Sequence, residues 1–563
     1  VTFNDPDLPG PLRLQGRASV RRLVTAVNGG RTIYVSSRAR GTGSGSQRGP
    51  YSSVASALKG LRPGDTVQFL PGRYTETVIL GPELQGRADA PIILRGKAGV
   101  VFDASTEIPA GAAWQKEGEG VFAIKTQIAH GLVLQDGRRM YGYIKRDAFD
   151  TSPIKPSRVY FYDRQTGRLL VKTGDSRPAA SHVYTCAGKA NAFRFEGAAH
   201  VLLSDVEMRH TAGYGVVLAA GSGNGVINNT FTNCASGVSF INSEANNTAI
   251  HNNRLTQKGF EDFSWRELMD LHWEFPRDGI VVWTGRGTSI VGNQISGHHN
   301  SISLEPPPKV RGTARNTAFN RDLDVMFNIL LNSGDDAIEA DYGGVNMRIH
   351  GNRVRNANSG VSVAPCIRGP VYVTRNDFTF RTLMFKFGIN KPDSHGACYS
   401  YHNSGYALTK GMTMGIYLNK NLPTTNKHFK NNIIYVTGTD LGVALRPGNT
   451  FDANCWFSDS EIIKFNWQKA WLKSLAAFQQ ASGQAQASLY ADPRLRATPG
   501  LTAIPVAGYA VNRVGLHGLV TDPQASDLRV DAKSPCIDAG LPIRGINENF
   551  KGRRPDIGAH EIR

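Results

Sequence analysis

The sequence predicts an all-β solenoid of the parallel β-helix kind, and three observations carry that prediction. The first is a marker that recurs in the middle of the chain: an Asn, one spacer, then an apolar residue. It reads Asn229-Thr230-Phe231, Asn253-Arg254-Leu255, Asn293-Gln294-Ile295, Asn328-Ile329-Leu330, Asn352-Arg353-Val354, Asn376-Asp377-Phe378 and Asn432-Ile433-Ile434, with Asp205-Val206 an imperfect earlier copy. Positions 205, 229 and 253, and again 328, 352 and 376, stand 24 residues apart. That is the length of one coil built from three short strands and their turns. An Asn at one fixed coil position suits an internal ladder, each amide bonding its neighbours above and below.

The second observation is composition. Sixty-one glycines, many Asn and many β-branched residues favour short strands and tight turns over helices. The third is the stack that results when coils are aligned on the strand after each Gly/Asn turn. One inward column becomes Val216, Val238, Ile280, Ile302, Ile338, Val361. A second becomes Leu218, Phe240, Val282, Leu304, Ala340, Val363. Side chains alternate across a strand, so two columns that are apolar throughout support the register.

Taken in order, residues 1–30 read as a basic tail or part of an N-terminal cap. Residues 31–112 supply the first coils: a strand at Thr32–Ser36, a cap helix at Ser53–Leu61, and strands around Thr66–Leu70, Ile92–Arg95 and Val100–Asp103. Residues 113–199 read as a strand-rich excursion or irregular coils. Residues 200–460 form the main β-helix, interrupted by lateral loops at 256–277, 306–321 and 388–412, which carry Trp, Tyr, His and Arg. Loops inserted in a solenoid commonly build its binding face. Residues 461–563 close the chain with an amphipathic helix at Trp467–Ser482 and an irregular segment.

Two stretches give the chain its resemblance. Pro63-Gly64-Asp65-Thr66-Val67-Gln68-Phe69-Leu70-Pro71-Gly72-Arg73-Tyr74 resembles the opening of secreted right-handed parallel β-helix proteins. Ser534-Pro535-Cys536-Ile537-Asp538-Ala539-Gly540 and Asp556-Ile557-Gly558-Ala559-His560-Glu561 resemble their C-terminal segment. The resemblance is to the pectate-lyase-like and polygalacturonase-like superfamily. It implies a right-handed coil and a secreted protein, extracellular or periplasmic. Because the superfamily hosts several chemistries, function has to be argued from the site.

Composition excludes other classes. The formal charge of +18 is scattered, with no aromatic-plus-basic signature of a nucleic-acid module, so the expected partner is a polysaccharide or oligosaccharide rather than nucleic acid. The six cysteines lie far apart without a Cys-x-x-Cys pair, which argues against zinc; Cys234 and Cys366 read as buried thiols. No run reaches the roughly 18 apolar residues of a membrane span. The numbering begins at Val1, so any signal peptide is expected to have been removed from it or left out of it.

The chemistry concentrates in Asn332–Gly344. Asp335, Asp336, Glu339 and Asp341 pack four carboxylates into seven residues. On a strand Glu339 and Asp341 share a face, which is costly without a cation, a metal or a shared proton. The register brings Glu305 beside Asp341 and sets Asp278, His299 and Asn300 at the neighbouring turns, so the patch is expected to face outward. Glycoside hydrolysis needs two such carboxylates. Asp335-Asp336 resembles the acidic pair of polygalacturonase-type hydrolases, whose Arg-Ile-Lys element is not matched. The expected catalytic pair is Asp336 and Glu339, with Glu305, Asp341, Asp278 and His299 as further candidates. Trp283, Trp273, His272, Asn300, Arg311 and Lys386 are the expected substrate contacts. The hydrolase reading needs no cofactor. The alternative is a lyase or epimerase on an acidic polysaccharide, with Ca²⁺ on Asp335 and Asp336 and Lys386, His299 or Arg311 taking the C5 proton. A third reading is a non-catalytic carbohydrate-binding β-helix.

Overall fold

In the computed structural model, residues 2–3, 12–13, 30–128, 131–152, 158–175, 177–240, 245–263, 277–306, 320–388, 394–410, 414–418, 424–437, 441–459, 463–468, 470–498, 519–522, 524 and 526–562 are described. They form two compact units. One comprises Val27–Val281 with Asn293–Ser301; the other comprises Val1–Ala26, Val282–Gly292 and Ile302–Arg563.

The first unit is a parallel β-helix with three strands per coil. One column stacks Thr32–Val35, Thr66–Phe69, Ile92–Arg95, Val201–Ser204, Gly225–Ile227 and Ala249–His251, all parallel. A second runs from Gly72–Tyr74 and Val100–Phe102 through Glu207–Arg209, Thr230–Thr232 and Arg254–Thr256 to Gln294–Ser296. A third stacks Val78–Leu80, Phe193–Glu196, Tyr214–Ser222 and Ser236–Phe240. The cap helix spans Val54–Leu58, its first turn capped by the Ser53 hydroxyl accepting from the Ser56 N–H. Residues 106–186 leave the coil as two small sheets, antiparallel except where Tyr141–Tyr143 runs parallel to Val159–Asp163.

The second unit repeats the plan. One column runs from Ser289–Val291 and Arg321–Met326 through Val345–His350, Val371–Thr374, Cys398–Tyr401 and Lys427–Lys430 to Thr450–Asp452. The column that bears the acids pairs Ile302–Ser303, Asp336–Glu339, the end of Arg353–Ser362 and the end of Asp377–Lys386. The expected inward residues Ile302, Ile338, Val361, Leu304, Ala340 and Val363 are all fully buried.

The amide ladder exists in both units. In the first, Asn229 donates to Asn253 and Asn253 to Asn293. In the second, the chain of amides runs Asn328, Asn352, Asn376, Asn403, Asn432, Asn454 with donor–acceptor distances of 2.8–3.0 Å. Each ladder Asn follows a residue in the left-handed region, among them Asn228, Asn252, Phe327, Arg375, His402 and Asn431. For Phe327 and Arg375 that conformation is costly, about 1–3 kcal/mol each, and the ladder over-determines it.

Two further rungs extend the ladder: Asn403, which escapes the marker pattern, and Asn454, which fits it as Asn454-Cys455-Trp456. The stretch between 376 and 432 is therefore two coils rather than one coil with a lateral loop over 388–412, because Cys398–Tyr401 and Ser404–Lys410 are paired strands. Residue 405, two after Asn403, is Gly rather than apolar, and the 27- and 29-residue steps obscure the period. The C-terminal helix is also shorter than expected, Leu475–Ser482, capped by Ser474 and ended by Gly483 in the left-handed region. Trp467 instead ends a strand, Ile463–Trp467, that stacks on Leu441–Leu445.

Near the ladder, Asp377 is buried against Arg355 at 2.6 Å and His560 at 3.2 Å. Burial pushes its carboxyl up, but the guanidinium and the imidazole hold it well below the usual carboxylate range. The described cysteines are all buried thiols. No helix among the described residues is long and apolar enough to cross a membrane.

Candidate active site

The strand Asp336–Glu339 alternates as its sequence requires. Ile338 pairs with Ile302 and Val361 toward the core, while Glu339 pairs with Ser303 on one side and Ser362 on the other. Main-chain bonds pin these coils together: Leu304 N–H to the Glu339 carbonyl and Ala340 N–H to the Ser362 carbonyl, both 2.7 Å. The chain then turns through Tyr342 and Gly343, both with positive φ. A Cβ at Gly343 would meet the Arg368 carbonyl at 2.2 Å, so only glycine fits there. Tyr342 has no such excuse, and its strain sits immediately after Asp341.

Three carboxylates converge. Glu305, Glu339 and Asp341 each present an oxygen within 4.8 Å of the others'. Asp341 is tightly held: its Oδ1 accepts from the Ser362 hydroxyl at 2.5 Å and from the Ala364 N–H at 2.7 Å. Two donors on one carboxylate oxygen favour the anion. Glu339 accepts from the Ser303 hydroxyl at 2.9 Å and is the most exposed of the three, while Glu305 and Asp341 are buried. Three full charges at this separation repel, so the cluster would suit a shared proton or a cation.

Asp335 and Asp336 play a different part. Asp336 is completely buried, and Lys386 Nζ donates to its Oδ2 at 2.6 Å. Burial pushes the Asp336 carboxyl up, to about 7, against the pull of Lys386 and with help from Asp335 and Asp341. Burial also works against the Lys386 charge, but Asp336, Asp335 and Asp341 together hold its ammonium well above the ordinary range. Asp335 accepts from the Asn358 side chain at 3.2 Å. Beneath the turn lies Arg381, fully buried, donating to the carbonyls of Ser333, Gly334 and Asn356 at 2.9–3.2 Å. Burial lowers the Arg381 guanidinium to about 9, with Asp335 opposing.

The expected outward patch is therefore mostly sunk into the coil wall. Glu305, Asp335, Asp336 and Asp341 are each under a tenth exposed, because neighbouring coils stand above and below them. Asp278, His299 and Asn300 belong to the other unit and form their own cluster there. His299 Nδ1 lies 3.5 Å from Asp278 Oδ1, to which the Asn300 N–H also donates at 2.9 Å. Burial raises Asp278, but His299, Arg277 and the Asn300 amide hold it below its ordinary value. Trp283 is half-buried just after the strand Ile280–Val282. His272, Trp273 and Arg311 lie outside the described residues, as do most of 256–277 and 306–321.

Sequence reasoning missed Arg381, which carries no marker and stands 45 residues from Asp336. Nor did it single out Ser303 and Ser362, which donate to Glu339 and Asp341.

Lys386 gives a first prediction. Removing it in Lys386→Met leaves Asp336 buried without its cation, and breaking such a pair costs roughly 3–5 kcal/mol. Asp336 then keeps a proton that the unfolded chain releases above about pH 4, so stability is lost as pH rises through the folded-state value. Urea midpoints of Lys386→Met should fall from pH 5 to pH 8 more steeply than those of the parent.

A family match and the first of three similar solved structures agree with the architecture. The family described as "Right handed beta helix region" matches residues 157–295 and 191–404. The solved complex of XylC with xylose is 15% identical over 78% of this chain and 86% of that chain, with a TM-score of 0.52. Pectate lyase Pel9A is 14% identical over 95% of this chain and 97% of that one, TM-score 0.45. The Yersinia enterocolitica family 28 exopolygalacturonase is 12% identical over 77% and 76%, TM-score 0.36. No curated protein matches the sequence.

Proposed function

For this right-handed parallel β-helix we propose the role of a secreted glycoside hydrolase acting on a polysaccharide or oligosaccharide with retention of anomeric configuration. Secretion enters through the likeness of both chain ends to secreted β-helix proteins. The observation that carries the chemistry is the approach of Glu305, Glu339 and Asp341 to within 4.8 Å. Retaining enzymes set their two carboxyl groups about 5–5.5 Å apart, inverting ones about 6.5–9.5 Å.

Asp341, held as an anion by Ser362 and Ala364, is the nucleophile; its Oδ2 attacks the anomeric carbon. Glu339, the most solvent-facing of the three, shares the proton that crowding forces on the cluster. It gives that proton to the leaving glycosidic oxygen and then takes one from the water that hydrolyses the glycosyl ester. Glu305 keeps the proton on its neighbour by its own charge. Asp336, sealed by Lys386, backs the site rather than touching sugar.

A second reading is favoured by the same oxygens. Two ligands of one Ca²⁺ at about 2.4 Å stand up to about 4.8 Å apart, so Glu305, Glu339 and Asp341 would suit the ion better than Asp335 and Asp336 do. Bound there, Ca²⁺ would neutralise a uronate carboxylate in a lyase. Lys386 is poorly suited as the base of that reaction, because its ammonium is held by Asp336. Product analysis against neutral and acidic polysaccharides separates the two. The hydrolase yields reducing ends, no ultraviolet-absorbing unsaturated uronate, and keeps its activity in chelator. An unsaturated product lost on chelation overturns it.

A further inference from the structure

Two of the six thiols meet. Cys455 opens the strand Cys455–Ser458, and Cys536 lies in the closing segment 81 residues further on. Both are completely buried, in one hydrophobic cluster with Ile433, Val530 and Ile557. The Cys455 Sγ donates to the Ala491 carbonyl at 3.3 Å, and the Cys536 thiol lies close enough to interact with it.

The backbone on either side is pinned. Cys455 N–H donates to the Asn432 carbonyl at 2.8 Å, and Ile557 N–H to the Cys536 carbonyl at 2.9 Å. The Ser534 hydroxyl donates to the Pro493 carbonyl at 2.6 Å, and Asp531 N–H to the Arg494 carbonyl at 2.9 Å. The backbone that carries each of the two side chains is thus fixed by the fold around it.

We propose that Cys455 and Cys536 are a modification site, oxidised to a disulfide that ties the closing segment to the coils. The oxidant is a small-molecule or protein disulfide. One thiolate attacks it to give a mixed disulfide and release one thiol; the second thiolate displaces the other half. In total the two cysteines lose two protons and two electrons, and the oxidant becomes two thiols. The facing thiol and burial both push the Cys455 thiol well above its ordinary range. Both thiols are sealed from solvent in the docked state, so the exchange belongs to folding, before the closing segment seats.

The test uses the full chain, refolded from denaturant in oxidised glutathione. It is then denatured in iodoacetamide without reduction, digested and weighed. The expected result is a linked peptide pair containing Cys455 and Cys536, lighter than the two separate peptides by two hydrogens. The unfolding midpoint of the refolded chain should exceed that of the reduced chain by roughly 5–10 °C, as closure of so long a loop predicts. Cys455→Ser and Cys536→Ser should each abolish that redox dependence. Full alkylation of both residues, linkage of either to another cysteine, or an unchanged redox response in the serine variants overturns the proposal. The peptide measurement needs no variant, so a serine variant that fails to fold does not weaken it.

Discussion

Asp341→Asn is expected to lower kcat by about 10⁴-fold or more, and Glu339→Gln by about 10²–10⁴-fold, with binding of substrate largely retained. The two losses differ because the groups do different work. Asp341 forms the bond to sugar, and no other oxygen in the cluster is held in the same place by Ser362 and Ala364. Glu339 moves a proton, a task that an activated leaving group makes partly dispensable. An aryl glycoside with a good leaving group should therefore recover much of the Glu339→Gln loss and little of the Asp341→Asn loss. Stability should move the opposite way. Each substitution removes one charge from three crowded carboxylates, so unfolding midpoints should stay level or rise, as expected where repulsion is stored for function. Full activity in both variants would show that the site lies elsewhere.

A stability loss as large as that of Lys386→Met is expected at the ladder. Asn376 is fully buried and uses its amide completely. Its Nδ2 donates to the Ile349 carbonyl and to Asn403 Oδ1, and its Oδ1 accepts from the Asn352 N–H and side chain. Asn376→Ala strands these partners in a place water does not reach, at about 1–3 kcal/mol for each unsatisfied group. A total loss of roughly 3–5 kcal/mol follows, allowing for partial relaxation. Leu is no remedy, since it restores volume but no hydrogen bond. Urea unfolding of Asn376→Ala and of a surface control such as Lys533→Ala measures it, the control shifting by less than about 0.5 kcal/mol.

The ladder was legible in the sequence because an amide that bonds its own copy one coil away has no substitute, so Asn recurs at a fixed spacing. The apolar columns were legible for the related reason that every coil buries the same strand positions. Asn403 was not, because its steps of 27 and 29 residues are irregular and Gly405 stands where the apolar residue would; Asn454 fits the marker but lies 22 residues after Asn432, off the 24-residue spacing. The acids were legible as a cluster, since Asp335–Asp341 is one short stretch and the register brings Glu305 to it. Their division of labour was not. Whether Asp336 meets solvent or Lys386 depends on how the turn sinks between coils, and Lys386 comes from a coil 50 residues further on. Arg381 was invisible for the same reason: a buried cation beneath a turn is held mainly by three backbone carbonyls, which carry no sequence signal, with the Asn356 side chain as its one amide partner.

The anomeric configuration of the first product tests the central claim most directly. Early-time proton NMR of a hydrolysis reaction should show a product with the same configuration as the bond cleaved, as the proposed retaining pair predicts. A product of opposite configuration, mutarotating toward equilibrium from the other side, would contradict the assignment of Glu339 and Asp341.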